Sequence, residues 1–427
     1  VAMVFSDRYF LSKIGKEDLA ATFTGGILTF LITNLMYGIL GQIIPICSQY
    51  IGAGEKENSI KILHQGLILT LFLSPLFFTL SYFFSPYLFE FFNHEKNLLE
   101  KELIYYQILS ITVFTVPFRL ILSNFFIAIE KSFYVTIAAF FGVLINIPLS
   151  YGLIFGKFNL PRLGIQGAAF GTLVSGIIPV LILAIIFFNK FYRDNYYTNL
   201  KFQFNFHLLK KLIRYGLPSG IEMFVNVSGF LFFSMTMYSY SGDVAAATTI
   251  VLNWDMVCFI PLMGISQAVG GLVGKYLGER KKDIALKISW TAIKLGWIYG
   301  GLITIIYLSF TSNLIEIFLT NEDKINPEGV YYYGKNLLLI SCLYFIFDAT
   351  YSILGGILKG SGDTLWTMIY SNSCMWSCAI LTYFSKNKFE YTPFVSWSIL
   401  TFMVFFLGSS FMIRFLRKKW MDRLMIG

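Results

Sequence analysis

Apolar residues run along this chain in long blocks, and polar residues come mainly as short punctuation such as "GAGEKENS" and "GERKKD". Eleven apolar segments lie at approximately 22–50, 60–88, 102–127, 133–156, 165–189, 211–240, 245–274, 284–311, 334–358, 364–385 and 392–415. Each is about the 20 residues a helix needs to cross a bilayer, or longer, and only helices or closed barrels satisfy their backbone there. The opening "VAMVFSDRYFLSKIG" offers about a dozen residues before Lys13, too few for a span of about 20. It also lacks the basic region and unbroken apolar core of a signal peptide. It is expected to be the second half of a first span that begins outside the given sequence. The pattern therefore predicts an all-α polytopic membrane protein with twelve transmembrane helices, the first truncated, in two pseudo-symmetric six-helix bundles.

The two-bundle expectation comes from an internal repeat. Ala20, Ala21 and Thr22 match Ala246, Ala247 and Thr248, Gly38 matches Gly264, and Tyr50 and Gly52 match Tyr276 and Gly278, all at a constant offset of 226. Two homologous six-helix halves related by an axis along the membrane normal are a transporter architecture, with substrate bound near the midplane between them. The polar connection Phe191–Leu209 falls near the midpoint. The expected organisation is an N-terminal bundle over 1–190, a cytoplasmic linker over 191–209 and a C-terminal bundle over 210–427. Loops after even-numbered spans, with the C-terminal tail, hold roughly twice as many Lys and Arg as those after odd-numbered spans, which puts both termini in the cytoplasm.

Composition agrees with the pattern. The chain is 56% hydrophobic and 13% charged, against about 25% charged in soluble domains. The net charge of +9 is read as basic cytoplasmic loops facing a lipid bilayer, not as a nucleic-acid surface. Cys47, Cys258, Cys342, Cys374 and Cys378 all fall in apolar segments and read as small packing residues. His64, His94 and His207 are scattered, with no metal cluster visible. No His-Glu-x-x-His or serine-based catalytic motif is present, so no enzyme is expected, and no cofactor either.

The candidate chemistry is the set of ionisable residues inside apolar segments: Asp7, Arg8, Arg119, Glu222, Asp255, Lys294 and Asp348. A charge at the centre of a bilayer costs roughly 2.5–3.5 kcal/mol on insertion scales, and such residues usually face a bundle interior or a water-filled cavity. Arg8, Arg119 and Lys294 can instead snorkel to the headgroups from near helix ends. The short carboxylates cannot. Glu222 and Asn226 are spaced i, i+4, as are Tyr344 and Asp348, so each pair shares a helix face. Asn253 and Asp255 point about 160° apart, so at most one faces a common site. If the seventh, eighth and tenth spans meet, they supply carboxylates with phenol and amide oxygens. A hard monovalent cation needs such an oxygen cage, whereas a proton needs only one carboxylate. The alternative is a satisfied polar network that fixes helix packing. Pro45 and Pro261 are the kink candidates, and Pro218, after "RYGL", reads as a helix start.

Several motifs in order, "LAATFTGG", "QYIGAGEKENS", "LINIPLSYGLIFGKFNLPRLGIQGAAFGT", "RYGLPSGIE", "VGKYLGERKKDIA" and "FDATYSILGGILKGSGDT", resemble the multidrug and toxic compound extrusion (MATE) transporters, most closely the NorM-like branch. The resemblance implies two six-helix bundles in a V and antiport of organic cations against sodium or protons. On it, Asp7 resembles the acidic residue of the first helix, Asp348 the aspartate of the tenth and Tyr344 a tyrosine of the cation site. Where NorM-like members carry a glutamate in the seventh helix, this sequence aligns Asn226, with Glu222 one turn earlier.

The cation- or proton-coupling candidates are thus Asp348, Glu222, Asp255, Tyr344, Asn226 and Asp7, with a sodium ion placed at Asp348, Glu222 and Tyr344. The coupling ion is expected to be Na+ or H+. The substrates are expected to be small organic cations meeting aromatic and Met side chains, the location the bacterial inner membrane, and the state a monomer. The runner-up is a flippase of lipid-linked saccharides, a related architecture. It is disfavoured because a pyrophosphate cavity calls for basic residues, and the interior charges here are mainly acidic.

Overall fold

The computed structural model describes residues 2–91, 96–319 and 329–426. Among the described residues the chain is helical throughout, without strands. Contacts divide it into two compact units, one of residues 1–47 and 55–220, the other of 48–54 and 221–427.

The first unit holds α1 (Ala2–Ser12), α2 (Lys16–Gly41), the start of α3 (Ile43–Gly52), α4 (Lys56–Phe91), α5 (Lys96–Ser110), α6 (Thr112–Ala128), α7 (Ser132–Phe155), α8 (Ile165–Phe187), α9 (Lys190–Tyr196) and α10 (Phe206–Tyr238) up to Gly220. The second holds the rest of α3 and α10, with α11 (Gly242–Gly278), α12 (Lys282–Glu316), α13 (Val330–Ser341), α14 (Phe345–Ser361), α15 (Thr364–Asn387), α16 (Pro393–Leu416) and a short 3-10 turn at Lys419–Asp422. Among the described residues eight single spans pass for membrane crossing by length and composition, and two bent pairs, α5 with α6 and α13 with α14, bring the number to ten. The remaining two segments of the sequence pattern are α1, with 11 residues, and α15, helical over 24 residues but more polar.

Large apolar side chains cover the outside: Phe72 and Ile185 are each 74% exposed. That is the distribution a lipid solvent asks for. Lipid tails are as apolar as leucine, so helix packing inside each unit relies on close approach and polar contacts. Glycines supply the approach. A Cβ on Gly167 of α8 would lie 2.6 Å from the Leu153 carbonyl carbon of α7, and one on Gly270 of α11 would lie 2.9 Å from the Gly356 carbonyl oxygen of α14.

Three predicted spans are broken, two of them just ahead of a proline: Pro45 cannot donate to the Gly41 carbonyl, nor Pro117 to the Val113 carbonyl, each four residues back. The second breaks at Gln42, the fourth at Ile111 with a 40° bend, and the tenth over 342–344 with a 54° bend. At two of the breaks a side chain from another helix bonds a nearby backbone carbonyl, Asn124 Nδ2 to Leu40 at 2.8 Å and Ser74 Oγ to Val113 at 2.8 Å; at the third, Thr304 Oγ1 donates to Gly300 of its own helix at 2.9 Å and lies 3.5 Å from the Cys342 carbonyl. Side chains inserted into the helical ladder are an established cause of kinks, and they satisfy the freed groups in a dry environment. Pro261 lies inside an uninterrupted α11, and Pro45 is the third residue of α3.

Pro218 is not a helix start. It lies inside α10, which begins at Phe206 with the Asn205 side chain accepting from Leu208 N at 3.1 Å. The polar-looking "HLLKKLIR" is helical because Leu208 and Leu212, one turn apart, are both buried while Lys210, Ile213 and Arg214 face outward. The connection between the halves is likewise fastened to the first unit. Gln65 Nε2 donates to the Gln203 carbonyl at 2.9 Å, its Oε1 accepts from Asn205 N at 3.0 Å, and Thr198 Oγ1 donates to the Phe187 carbonyl at 2.8 Å.

In the second unit the C-terminal segment folds back on the helices. Trp420 is buried and stacks on Phe415 at 5.5 Å, and Met425 N donates to Gln49 Oε1 at 2.8 Å. Asp363 receives Arg414 Nε at 2.9 Å and Arg423 Nη1 at 2.6 Å.

Candidate functional site

Asp255 shares the inward face of α11 with Val251 and Cys258, both buried and one turn away on either side, while Asn253 is exposed. Of that pair, only Asp255 reaches the interior. Its Oδ2 accepts the Tyr344 phenol at 2.5 Å, and its Oδ1 is buried without a hydrogen bond. Tyr344 stands in the break between α13 and α14, immediately before Phe345.

That break explains why Asp348 is tolerated. The apolar pattern reads 334–358 as one span with Asp348 near its middle. In the structure Asp348 sits in the first turn of α14, where its backbone N–H bonds the Tyr344 carbonyl at 2.8 Å. The first turn of a helix carries unpaired N–H groups and the positive end of the macrodipole, which favours a carboxylate there. Asp348 is within electrostatic reach of Asp255 and of Tyr344. Around the pair, Cys258 Sγ lies 2.9 Å from Tyr307 OH, and Tyr299 OH donates to the Cys258 carbonyl at 3.0 Å.

Glu222 and Asn226 form a separate cluster on α10. Glu222 is buried, with Lys359 Nζ 2.8 Å from Oε1 and Thr367 Oγ1 3.1 Å from Oε2. Asn226 Nδ2 lies 2.6 Å from Asn372 Oδ1 and 3.2 Å from Ser371 Oγ, both on α15. Tyr351, less than one turn beyond Asp348, is within electrostatic reach of both Glu222 and Asp348. The seventh, eighth and tenth spans therefore all contribute polar groups in the second unit, but in two clusters instead of one cage. Among the described residues no group of three or more His, Cys, Asp or Glu could hold a metal ion.

Asp7 lies in the first unit and is 2% exposed. Thr172 Oγ1 donates to its Oδ2 at 2.5 Å, while Oδ1 makes no hydrogen bond. Beside it Asn146 Nδ2 reaches Ser150 Oγ and Ser175 Oγ, each at 3.2 Å. Asp7 and Asp255 thus carry the same signature in different units: one carboxylate oxygen held by a hydroxyl, the other buried and unpartnered. Arg119 Nη2 donates to Tyr37 OH at 2.7 Å, and Lys294 is exposed on α12.

Sequence reasoning missed Lys359, Thr367, Thr172 and Asn146. Lys359 reads as a loop cation because it closes an apolar segment. Asn146 in "LINIP" was a legible signal, an amide inside an apolar run. Single Ser and Thr residues carry none, since they are common in membrane helices and bond their own backbone.

The MatE family model matches residues 1–152 and 218–384. The "Probable multidrug resistance protein NorM" of Pasteurella multocida is 27% identical over 380 residues, covering 88% of this chain and 80% of that protein. The NorM protein of Thermotoga maritima is 30% identical over 291 residues, covering 65% and 59% respectively. Among solved structures, a MATE protein in the bent conformation superposes with a TM-score of 0.87 at 19% identity, covering all of this chain and 93% of that one. A Pyrococcus furiosus transporter of the MOP superfamily, described as having a binding pocket of reversed polarity that suggests a different function, superposes with a TM-score of 0.88 at 19% identity, covering 99% and 94%. Likeness at that identity speaks for the fold alone. The family match itself spans well over half of the sequence, on both sides of the midpoint: this protein belongs to the MatE family, with NorM proteins among its relatives.

Proposed function

We propose that this protein is a secondary antiporter, not an enzyme, that exports small organic cations in exchange for Na+ or H+ across the bacterial inner membrane, with both termini in the cytoplasm. The observation that carries the reading is Asp255, a carboxylate with Tyr344 on one oxygen, nothing on the other, and Asp348 within electrostatic reach. Two carboxylates in a low-dielectric interior repel each other and have lost hydration, so the pair gains by taking up a cation or a proton. Its carboxylate and phenol oxygens are the hard donors that suit Na+ as well as H+.

The direct ion ligands in this reading are Asp255, Asp348 and Tyr344. Glu222 already has the Lys359 ammonium, so an arriving cation would have to displace it, and Asn226 belongs with that second cluster. Asp7, with its own unpartnered oxygen, is a second proton or cation acceptor in the first unit. Uptake at the α13–α14 break alters the charge at a point where the span is already bent, which is where a small force changes helix direction at least cost. The relatives named as multidrug resistance proteins support organic substrates.

The test is efflux of a fluorescent organic cation from proteoliposomes with sodium and pH gradients imposed separately. One gradient is expected to drive export by the wild type. Asp255→Asn and Asp348→Asn are expected to abolish gradient-driven export while inserting normally. Wild-type transport indifferent to both gradients, or undiminished in both variants, would overturn the reading.

A further inference from the structure

Arg119 is a charge inside an apolar span whose partner is neutral. It lies on α6, nine residues before Ala128, which is about 13 Å along a helix axis. Half of a hydrocarbon core is about 15 Å. Its Nη2 donates to Tyr37 OH on α2 at 2.7 Å, and among the described residues no carboxylate pairs with it. Lys101, Lys359 and Arg414, on other spans, each have an acid: Asp18, Glu222 and Asp363. Asp7, in the same unit as Arg119, is bonded by Thr172.

The Arg119–Tyr37 contact is held at its own level. Asn124, further along α6, donates to the Leu40 carbonyl, further along α2, at 2.8 Å. The two contacts run in step along the seam between these helices, so Tyr37 stands level with Arg119. A snorkelling arginine extends toward a helix end. This one reaches sideways.

The bond also has a fixed direction. A guanidinium can only donate, so the phenol oxygen is the acceptor and the phenol hydrogen is left to donate elsewhere. Among the described residues no acceptor takes that hydrogen. The guanidinium has five N–H donors in a planar fork, of which the contact uses one. Both side chains are half-buried, so their remaining donors open on the surface of the first unit. Hydrocarbon has no acceptor for them, and charges at this depth face a bundle interior or a water-filled cavity. A planar fork with a phenol hydrogen beside it matches the two oxygens of a carboxylate.

We infer that Arg119 and Tyr37 form an oxyanion subsite in the first unit that takes a carboxylate of the exported solute. The inference rests on the export reading and sharpens it: among organic cations, those that also carry a carboxylate are favoured. The α2–α6 seam fixes the two donors before the ligand arrives, so little ordering is left for binding to bring about.

Two fluorescent dyes and the purified full chain test this: a cationic xanthene with a free carboxylate, and the methyl ester of the same dye. Fluorescence polarisation reads each affinity, in detergent and in phosphatidylcholine nanodiscs. The wild type is expected to bind the acid about tenfold or more tightly than the ester. Arg119→Gln should lose that preference through weaker binding of the acid. Arg119→Lys, which keeps the charge without the fork, should recover part of it. Tyr37→Phe removes one donor and should reduce the preference by about three- to fivefold.

Equal affinities for acid and ester in the wild type, or an equal loss of both in Arg119→Gln, would overturn the inference. So would a preference seen in detergent and lost in nanodiscs, since a headgroup phosphate would then be the oxyanion that Arg119 takes. Should Arg119→Gln fail to fold, Arg119→Lys and Tyr37→Phe decide. Binding needs no gradient, so failure of the antiporter reading shows separately, as a wild type that exports neither dye under either gradient.

Discussion

Lys359 closes on Glu222, its Nζ 2.8 Å from Oε1, so the acid expected to join Asp348 in one ion site already has a cation of its own. Glu222 is buried and Lys359 only partly so, which makes the pair asymmetric. Removing one partner leaves the other charge without a counter-ion in a poorly hydrated place.

Lys359→Met is therefore expected to destabilise the protein by about 2 kcal/mol, below the roughly 3–5 kcal/mol of a fully buried pair, because Lys359 retains some solvent. Glu222→Gln combined with Lys359→Met should recover more than half of that loss. Thermal unfolding in detergent of the two single variants and the double variant measures the coupling. Additive losses would mean that the two side chains do not depend on each other.

The Asp363 carboxylate is 1% exposed and receives both Arg414 and Arg423. Asp363→Asn removes the charge from two charge-assisted hydrogen bonds, with an expected cost of about 2–3 kcal/mol. It should also free the segment after Arg417. Trypsin cleavage at Arg417, Lys418, Lys419 and Arg423 should accelerate severalfold, while cleavage elsewhere stays slow.

Tyr344→Phe deletes the donor to Asp255 without a large change in volume. It is expected to insert and fold like the wild type, to retain binding of an organic cation, and to lose most gradient-driven export. Equilibrium dye binding and proteoliposome efflux, measured on the same preparation, separate the two effects.

Close helix approach in the first unit makes a paired prediction. Gly167→Leu should prevent the α7–α8 contact, since even a Cβ would sit 2.6 Å from the Leu153 carbonyl, and the yield of folded protein should collapse. Gly176→Ala, on the same helix with open space around it, should raise stability by about 0.5–1 kcal/mol. Size-exclusion profiles and thermal unfolding check both.

The sequence by itself determined the helical membrane architecture, because a dry bilayer permits few backbone solutions and the apolar blocks are long enough to be unambiguous. It also singled out the acids, because short carboxylates in apolar runs are costly and cannot snorkel. The tertiary structure decided where the spans break and which side chain each acid bonds. At two breaks Asn124 and Ser74 reach across to the carbonyls of Leu40 and Val113, contacts between residues far apart along the chain that no local pattern encodes, while Pro45 and Pro117 mark the same two places locally. The third break turns Asp348 from a mid-span charge into a helix-start residue. Glu222 parted from Asp255 for the same kind of reason. Helical spacing fixes the face a side chain occupies on its own helix, but its partner depends on which helix packs there, and for Glu222 that neighbour brings Lys359.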